Sequence, residues 1–277
     1  MLSLCQLKLT EDRMAKTVLQ KEIERLRRHE RWFLRKQLDR EPTKLDQFLE
    51  DKVPAKLEAT LDKAFAKAFH LIFSKGSSII SRTFSTDRLI EEFETDSADL
   101  VLLGGGRQMR RFKRRAVATG TAHTIVSTVT GAALGFVGGT IPDIALFITL
   151  LLRNIYKISM KYGYAFDTEE EQKFILRVIA AAVQDGDDMI RANKEVNQLI
   201  REGLSSDNST VDERINEAAV ALAHALLLMK FLQKIPVVGV IGGASDFIYM
   251  ERISDYAVLK YQRRFLIDQL RSGRHDM

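Results

Sequence analysis

The chain has 277 residues, of which 45% are apolar and 29% charged, with a formal net charge of +5. That balance is ordinary for a packed core, and the length allows one large helical domain or two small ones. Cys5 is the only cysteine, which excludes a disulfide framework and a cysteine-based zinc site. The opening residues lack the basic-then-apolar pattern of a signal peptide, so a cytoplasmic location is expected.

Period-2 alternation is almost absent and 3.6-residue periodicity is widespread, which predicts an all-α fold. The expected architecture is a multi-helix bundle around glycine-rich helical hairpins that form a pseudo-repeat. Residues 10–40 read as a long, highly charged helix stopped at Pro42. Leu19, Ile23 and Leu26 give it a narrow apolar stripe, and Trp32, Phe33 and Leu34 thicken that stripe. The organisation expected is a charged helical arm over 1–45 and a helical domain over 46–277.

Pro54 opens the next helix. Leu57, Leu61, Ala64, Phe65, Ala68, Phe69, Ile72 and Phe73 give it a wide apolar face, and Gly76 ends it. His70 lies beside that face as a boundary residue. Ser85 or Thr86 caps a short helix through Phe93, and the acidic run EEFETDSAD leads to Gly104, Gly105 and Gly106. No GxxxxGK[ST] pattern follows, so these glycines read as a linker rather than a phosphate cradle.

Arg107, Arg110, Arg111, Lys113, Arg114 and Arg115 then place six positive charges in nine residues, with no acid among them. The cluster directly precedes the most apolar part of the chain. Basic residues flanking such a segment suit an anionic cytoplasmic leaflet. Nucleic acid is the other usual partner of a basic cluster. No aromatic-interleaved basic surface and no nucleic-acid-binding motif accompany this one, so none is expected.

Residues 116–162 read as two helices. Gly131, Gly135 and Gly139 recur every four residues and share a face that lets another backbone approach closely. The second helix starts around Pro142 and Asp143, where a carboxylate suits the helix dipole. It carries Leu151, Ile155, Ile158 and Tyr162 on an apolar stripe, and Arg153, Lys157 and Lys161 on a basic one. A basic stripe without acids points either to an anionic neighbour or simply to a solvated face.

Thr168 and Glu171 have capping-box spacing. The helix they open turns Phe174, Ile175, Val178, Ile179, Ala182 and Val183 inward and closes at Gly186. A polar helix follows to about Glu202, and LSSDNSTVD reads as a loop. GVIGG, with Gly242 and Gly243, then echoes GFVGG. Each unit is preceded by a histidine, His123 or His224, and followed by an aspartate, Asp143 or Asp246. The last helix carries Ile253, Tyr256, Ala257, Lys260 and Arg264 in one row.

Three stretches are similar to the EcsC family: VPAKLEATLDKAFAKAFHLIFSKGSSII, GAALGFVGGTIPDIALFITLLLRNIYKISMKYGYAFDTEEEQKFIL and IPVVGVIGGASDFIY. The resemblance covers roughly residues 50–270, and GG-x-x-P-D followed by LLRNI and YGY is the most specific part. The family's namesake is encoded with a bacterial ABC transporter. The resemblance implies a bacterial-type, membrane-linked helical protein and transfers no catalytic residue.

Two functions remain at this stage. The first is a membrane-associated accessory or interaction protein, peripheral at the inner face of the cell membrane and linked to ABC transport or the cell envelope. Its partner is an anionic membrane surface, a membrane protein or a second copy of the chain. The second is a hydrolase or metal-dependent enzyme using His123, Asp143, His224 and Asp246 as a His/Asp cluster. No HExxH, GxSxG or P-loop pattern supports the enzyme, and no cofactor is identified.

Overall fold

A computed structural model of the chain describes residues 4–38, 55–76, 80–81, 85–103, 109, 111, 114, 141–233 and 245–275. Among these residues the fold is all-α, with eight α-helices and no strand. The helices are α1 (Leu4–Leu38), α2 (Ala55–Leu71), α3 (Thr86–Leu103) and α4 (Ile141–Lys161). They continue with α5 (Glu169–Ala182), α6 (Gly186–Glu202), α7 (Val211–Gln233) and α8 (Ser245–His275). A π-turn, Ile72–Gly76, extends α2, and a 3-10 turn, Leu204–Ser206, follows α6.

Periodicity places the core. On α4, Ile144, Phe147, Ile148, Leu151, Leu152, Ile155 and Ile158 are all buried. Each such side chain contributes roughly 1.5–3 kcal/mol when removed from water. On α5 burial runs almost all the way round, from Phe174 to Ala182, as suits a helix at the centre of a bundle. α2 and α7 lie together on one side, with α7 also against α5. α1 and α6 pack on α8, and α8 reaches α4 and α5 as well. α3 flanks α4.

Several expectations need correction. α3 does not stop at Phe93: it runs through the acidic stretch to Leu103, capped by Ser85, whose hydroxyl accepts from the Arg88 N–H at 3.3 Å. Its acids find cations, Glu92 pairing with both Arg88 and Lys161. Trp32 and Leu57, read as part of apolar stripes, are 66% and 41% exposed. Gly186 begins α6 rather than closing α5. The segment LSSDNSTVD is a loop as read, reaching from a 3-10 turn to the start of α7, and within it Asp207 is buried against Arg214.

The end of α4 is set by the YGY triplet. The Gly163 N–H donates to the Met160 carbonyl at 2.9 Å and the Tyr164 N–H to the Ser159 carbonyl at 3.1 Å. This is a Schellman cap, which needs a left-handed residue at its centre; Gly163 has φ +81°. Glycine is required twice over there, because a Cβ would run into the Phe93 ring. Tyr162 is thereby buried against Phe265, and Tyr164 is brought under α8.

Candidate functional site

α8 is joined to the rest of the bundle through two buried polar networks. Its row of Ile253, Tyr256, Ala257 and Lys260 faces inward, and all four are buried. Lys260 is completely enclosed and donates to three oxygens: Glu30 Oε1 on α1, and Asn193 and Asn197 on α6. An ammonium has three N–H donors, so all of its capacity is used. Tyr256 lies alongside, its hydroxyl donating to Asn193 Oδ1 at 3.2 Å and its ring centroid 4.6 Å from the Lys260 nitrogen.

Glu30 takes a second cation, Arg263, and a hydrogen bond from the Asn197 amide at 3.0 Å. Burial raises its carboxyl, but these cations and donors outweigh burial and hold it below the usual carboxylate range. Burial pulls the Lys260 ammonium down to about 8, with Glu30 offsetting part of the fall. The lysine is therefore still charged at neutral pH. With no exposed surface and every donor occupied, it has neither access for a substrate nor a free lone pair to act as a nucleophile.

A second network sits one turn further along. Glu171, buried on α5, accepts from the Tyr261 hydroxyl at 2.5 Å and from Arg264 at 2.6 Å. Arg264 lies over the Tyr164 ring, 3.7 Å from its centroid, and Tyr164 donates its hydroxyl to Asp268 at 2.7 Å. Burial raises Glu171, with Arg264 and Tyr261 opposing it. Glu171 thus fills only half of the expected capping box: its N–H donates to Thr168 at 3.2 Å, while its carboxylate leaves the cap for α8. The complete box belongs to Thr210 and Glu213, which open α7 with reciprocal bonds of 2.8 and 3.2 Å. Its T-x-x-E spacing was there to be read.

Two further contacts fix α8. Asn154 on α4 donates to Ser254, joining the LLRNI segment to α8 in the interior. Arg252 donates to Asp185 at 2.9 Å and to the Gln184 carbonyl, so the α5–α6 turn is held from outside itself.

A polar cleft of about 460 Å³ lies between α5, α6 and the start of α7. Arg177, Glu195, Glu202, Asp207, Glu213 and Arg214 line it. Its cations are matched internally. Arg177 reaches Glu195 at 3.2 Å and Glu217 at 3.8 Å. Arg214 holds Asp207 through two bonds of 2.8 and 3.0 Å and reaches Glu217 as well. Burial raises the Asp207 carboxyl, yet the Arg214 donors and the Ser209 N–H outweigh it and hold it at about 2. Among the described residues no group of three His, Cys, Asp or Glu side chains is placed to hold a metal.

The sequence-predicted residues are distributed as follows. Arg111 and Arg114 are helical and exposed, and Met109 between them and α3 is buried. Arg107, Arg110, Lys113, Arg115, Gly131, Gly135, Gly139, Gly242, Gly243 and His123 lie outside the described residues. Asp143 and Asp246 fall in the first turns of α4 and α8, with side chains outside the described set. His224 is on α7, half-exposed, with Nδ1 3.8 Å from Glu58 on α2. Its carboxylate neighbour is therefore one that the proposed His/Asp cluster did not include. The basic stripe of α4 also finds its anion inside the chain: Lys161 is buried on Glu92 of α3. Sequence reasoning missed Glu30, Asn193, Asn197 and Glu171 as interior anchors.

The fold and its polar interior define a class: a helical bundle in which one long helix is fastened to α1, α4, α5 and α6 by buried side-chain bonds. The LLRNI and YGY residues form two of those fastenings, through Asn154 and Tyr164. The chain belongs to the EcsC protein family, which matches it over residues 19–266. The match takes in the second half of α1, which lies before the quoted motifs. Comparison with curated proteins and with solved structures returns no match.

Proposed function

We propose that this EcsC-family protein is a helical accessory or interaction protein that binds anionic membranes peripherally through residues 107–115. The observation that carries the reading is the exposure of Arg111 and Arg114 on helical backbone two and five residues beyond the buried Met109. Among the described residues of this segment Met109 is turned inward and Arg111 and Arg114 outward, next to the apolar stretch that follows in the sequence. Each basic residue near an anionic leaflet contributes roughly 1 kcal/mol. No helix among the described residues is long and apolar enough to cross a membrane. The cytoplasmic leaflet is the anionic surface this reading assigns, and a membrane protein such as an ABC transporter is the assembly it would serve.

Sedimentation with vesicles of phosphatidylglycerol tests the proposal. The parent chain is expected to pellet with them and not with phosphatidylcholine. Arg110→Glu, Arg111→Glu, Arg114→Glu and Arg115→Glu together should abolish most of that binding. Unchanged binding of the quadruple variant would remove the idea.

A further inference from the structure

A second basic surface lies on α1, on the side away from the bundle. Leu26, Glu30, Phe33 and Gln37 are buried and define the inner face. On the opposite face Lys21, Arg28, Trp32 and Arg35 recur at helical spacing, with Arg27, Arg31 and Lys36 beside them, and all seven are exposed. Glu24 is the one exposed acid between Lys21 and Lys36. The other acids of that stretch are withdrawn from the surface. Glu22 is buried and bonded to Arg25, and Glu30 is buried on Lys260 and Arg263. Among the described residues Arg28, Arg31 and Arg35 enter no ion pair.

Trp32 stands in the middle of this face, 66% exposed, with the Lys36 nitrogen 5.8 Å from its ring centroid. An indole costs free energy in water unless something covers it. Trp32 is left largely uncovered, while its neighbour Phe33 turns inward and packs on Tyr256 at 5.4 Å. The Lys260–Glu30 clamp fixes the rotation of the helix, so this outward set is held in place rather than averaged.

We infer that the outer face of α1 is a second docking surface for an anionic membrane, with Trp32 entering the headgroup layer between the arginines. The occupant follows from charge complementarity and from the residue types. Cations around a lone tryptophan match a bilayer interface, where indole rings prefer to sit and basic residues meet anionic lipid. The outer face of a single helix is a ridge. It fits a plane of headgroups better than it fits a nucleic-acid strand, which is tracked by a groove with several stacking rings. This inference rests on the membrane reading above but uses different residues.

Trp32 is the only tryptophan, so its fluorescence reports this face alone. With the full chain, phosphatidylglycerol vesicles should shift its emission to the blue and brominated acyl chains should quench it. Phosphatidylcholine vesicles should do neither. Arg28→Glu, Arg31→Glu and Arg35→Glu together should weaken vesicle binding at least about 100-fold, since each cation lost counts for roughly a factor of five. The neutral set R28Q, R31Q and R35Q should give a smaller loss, and it decides the matter if the reversed set melts early. Two results overturn the inference and leave residues 107–115 in place: an unmoved Trp32 emission while the chain pellets with the vesicles, or parental binding by both triple variants. Absence of pelleting overturns both proposals. A shift produced by DNA oligonucleotides and not by vesicles makes the face a nucleic-acid surface and overturns the membrane assignment.

Discussion

Replacing Glu30 by glutamine removes the charge of the α1–α8 clamp while keeping the side chain's length and its packing. Lys260 is then left with neutral amide oxygens as acceptors and no carboxylate. In the parent its ammonium titrates at about 8, which at pH 7 favours the charged form by about 1 kcal/mol. Without the carboxylate that preference reverses and the lysine sheds its proton, so this part of the loss is capped near 1 kcal/mol. The remainder is the charge-assisted bond from Arg263, worth about 1.5–3 kcal/mol. The sum is about 3 kcal/mol, or roughly 6–12 °C in Tm for a chain of this size. The pH dependence carries a sign. The unfolded chain holds the lysine proton up to about 10.5 and the folded parent releases it near 8. Stability from this group therefore rises with pH between those values. In Glu30→Gln the rise begins lower, so the deficit against the parent is largest at pH 6 and smaller at pH 8. Urea unfolding at pH 6, 7 and 8 measures it. A deficit below about 1 kcal/mol, or one identical at all three pH values, refutes the account of Lys260 as a charged lysine held by Glu30.

Gly163→Ala should cost about 2–4 kcal/mol, from strained positive φ and collision with Phe93; Gly186→Ala, at φ +54° in open space, should cost only about 1 kcal/mol, and equal melting temperatures would contradict the difference. Asp207 is held at about 2 against 3.8 unfolded, so its contribution is present above pH 3.8 and is lost as pH falls towards 2. Asp207→Asn should be less stable than the parent at pH 5 and show a flatter acid limb between pH 4 and 2 in an acid-unfolding series. Tyr261→Phe leaves Glu171 with Arg264 but without its hydroxyl donor, a loss of about 1–3 kcal/mol that denaturant unfolding reads.

The sequence revealed the helices wherever apolar side chains marked the inner face. Leu151, Ile155 and Ile158 on α4, with Tyr162 just after it, and Phe174, Ile175, Val178, Ile179 and Ala182 on α5, are buried as their spacing predicts. Charges hid the rest. Glu30 falls on the stripe of Leu26 and Phe33, and Lys260 on that of Tyr256 and Ala257. A charged residue on an apolar stripe is the one local sign that a buried ion pair is waiting for a partner. The partner itself lies 230 residues away, beyond the reach of any spacing rule. Lys161 shows the same limit. By spacing it groups with Arg153 and Lys157 as a basic stripe, because Glu92, its anion, sits on a different helix. The extent of α3 was hidden for a related reason: acids that look like a solvated run are tolerated in a helix when cations meet them. Of the candidate site, Arg111 and Arg114 emerge exposed as their charge implies. His224 was read beside His123, but its contact is across to α2, which repeat spacing cannot indicate.

The clamp between Glu30 and Lys260 also sets a timetable for synthesis. A ribosome adds roughly 5–20 residues per second, so the 230 residues that separate the pair represent about 10–50 s of translation. A helix forms in about a microsecond. α1 therefore exists long before the helix that covers it, with Glu30 lacking its cations and Leu26 and Phe33 facing water. α6 supplies Asn193 and Asn197 late in that interval, and α8 closes the bundle only when its own middle turns have emerged. The step that completes the interior is thus timed by the arrival of α8.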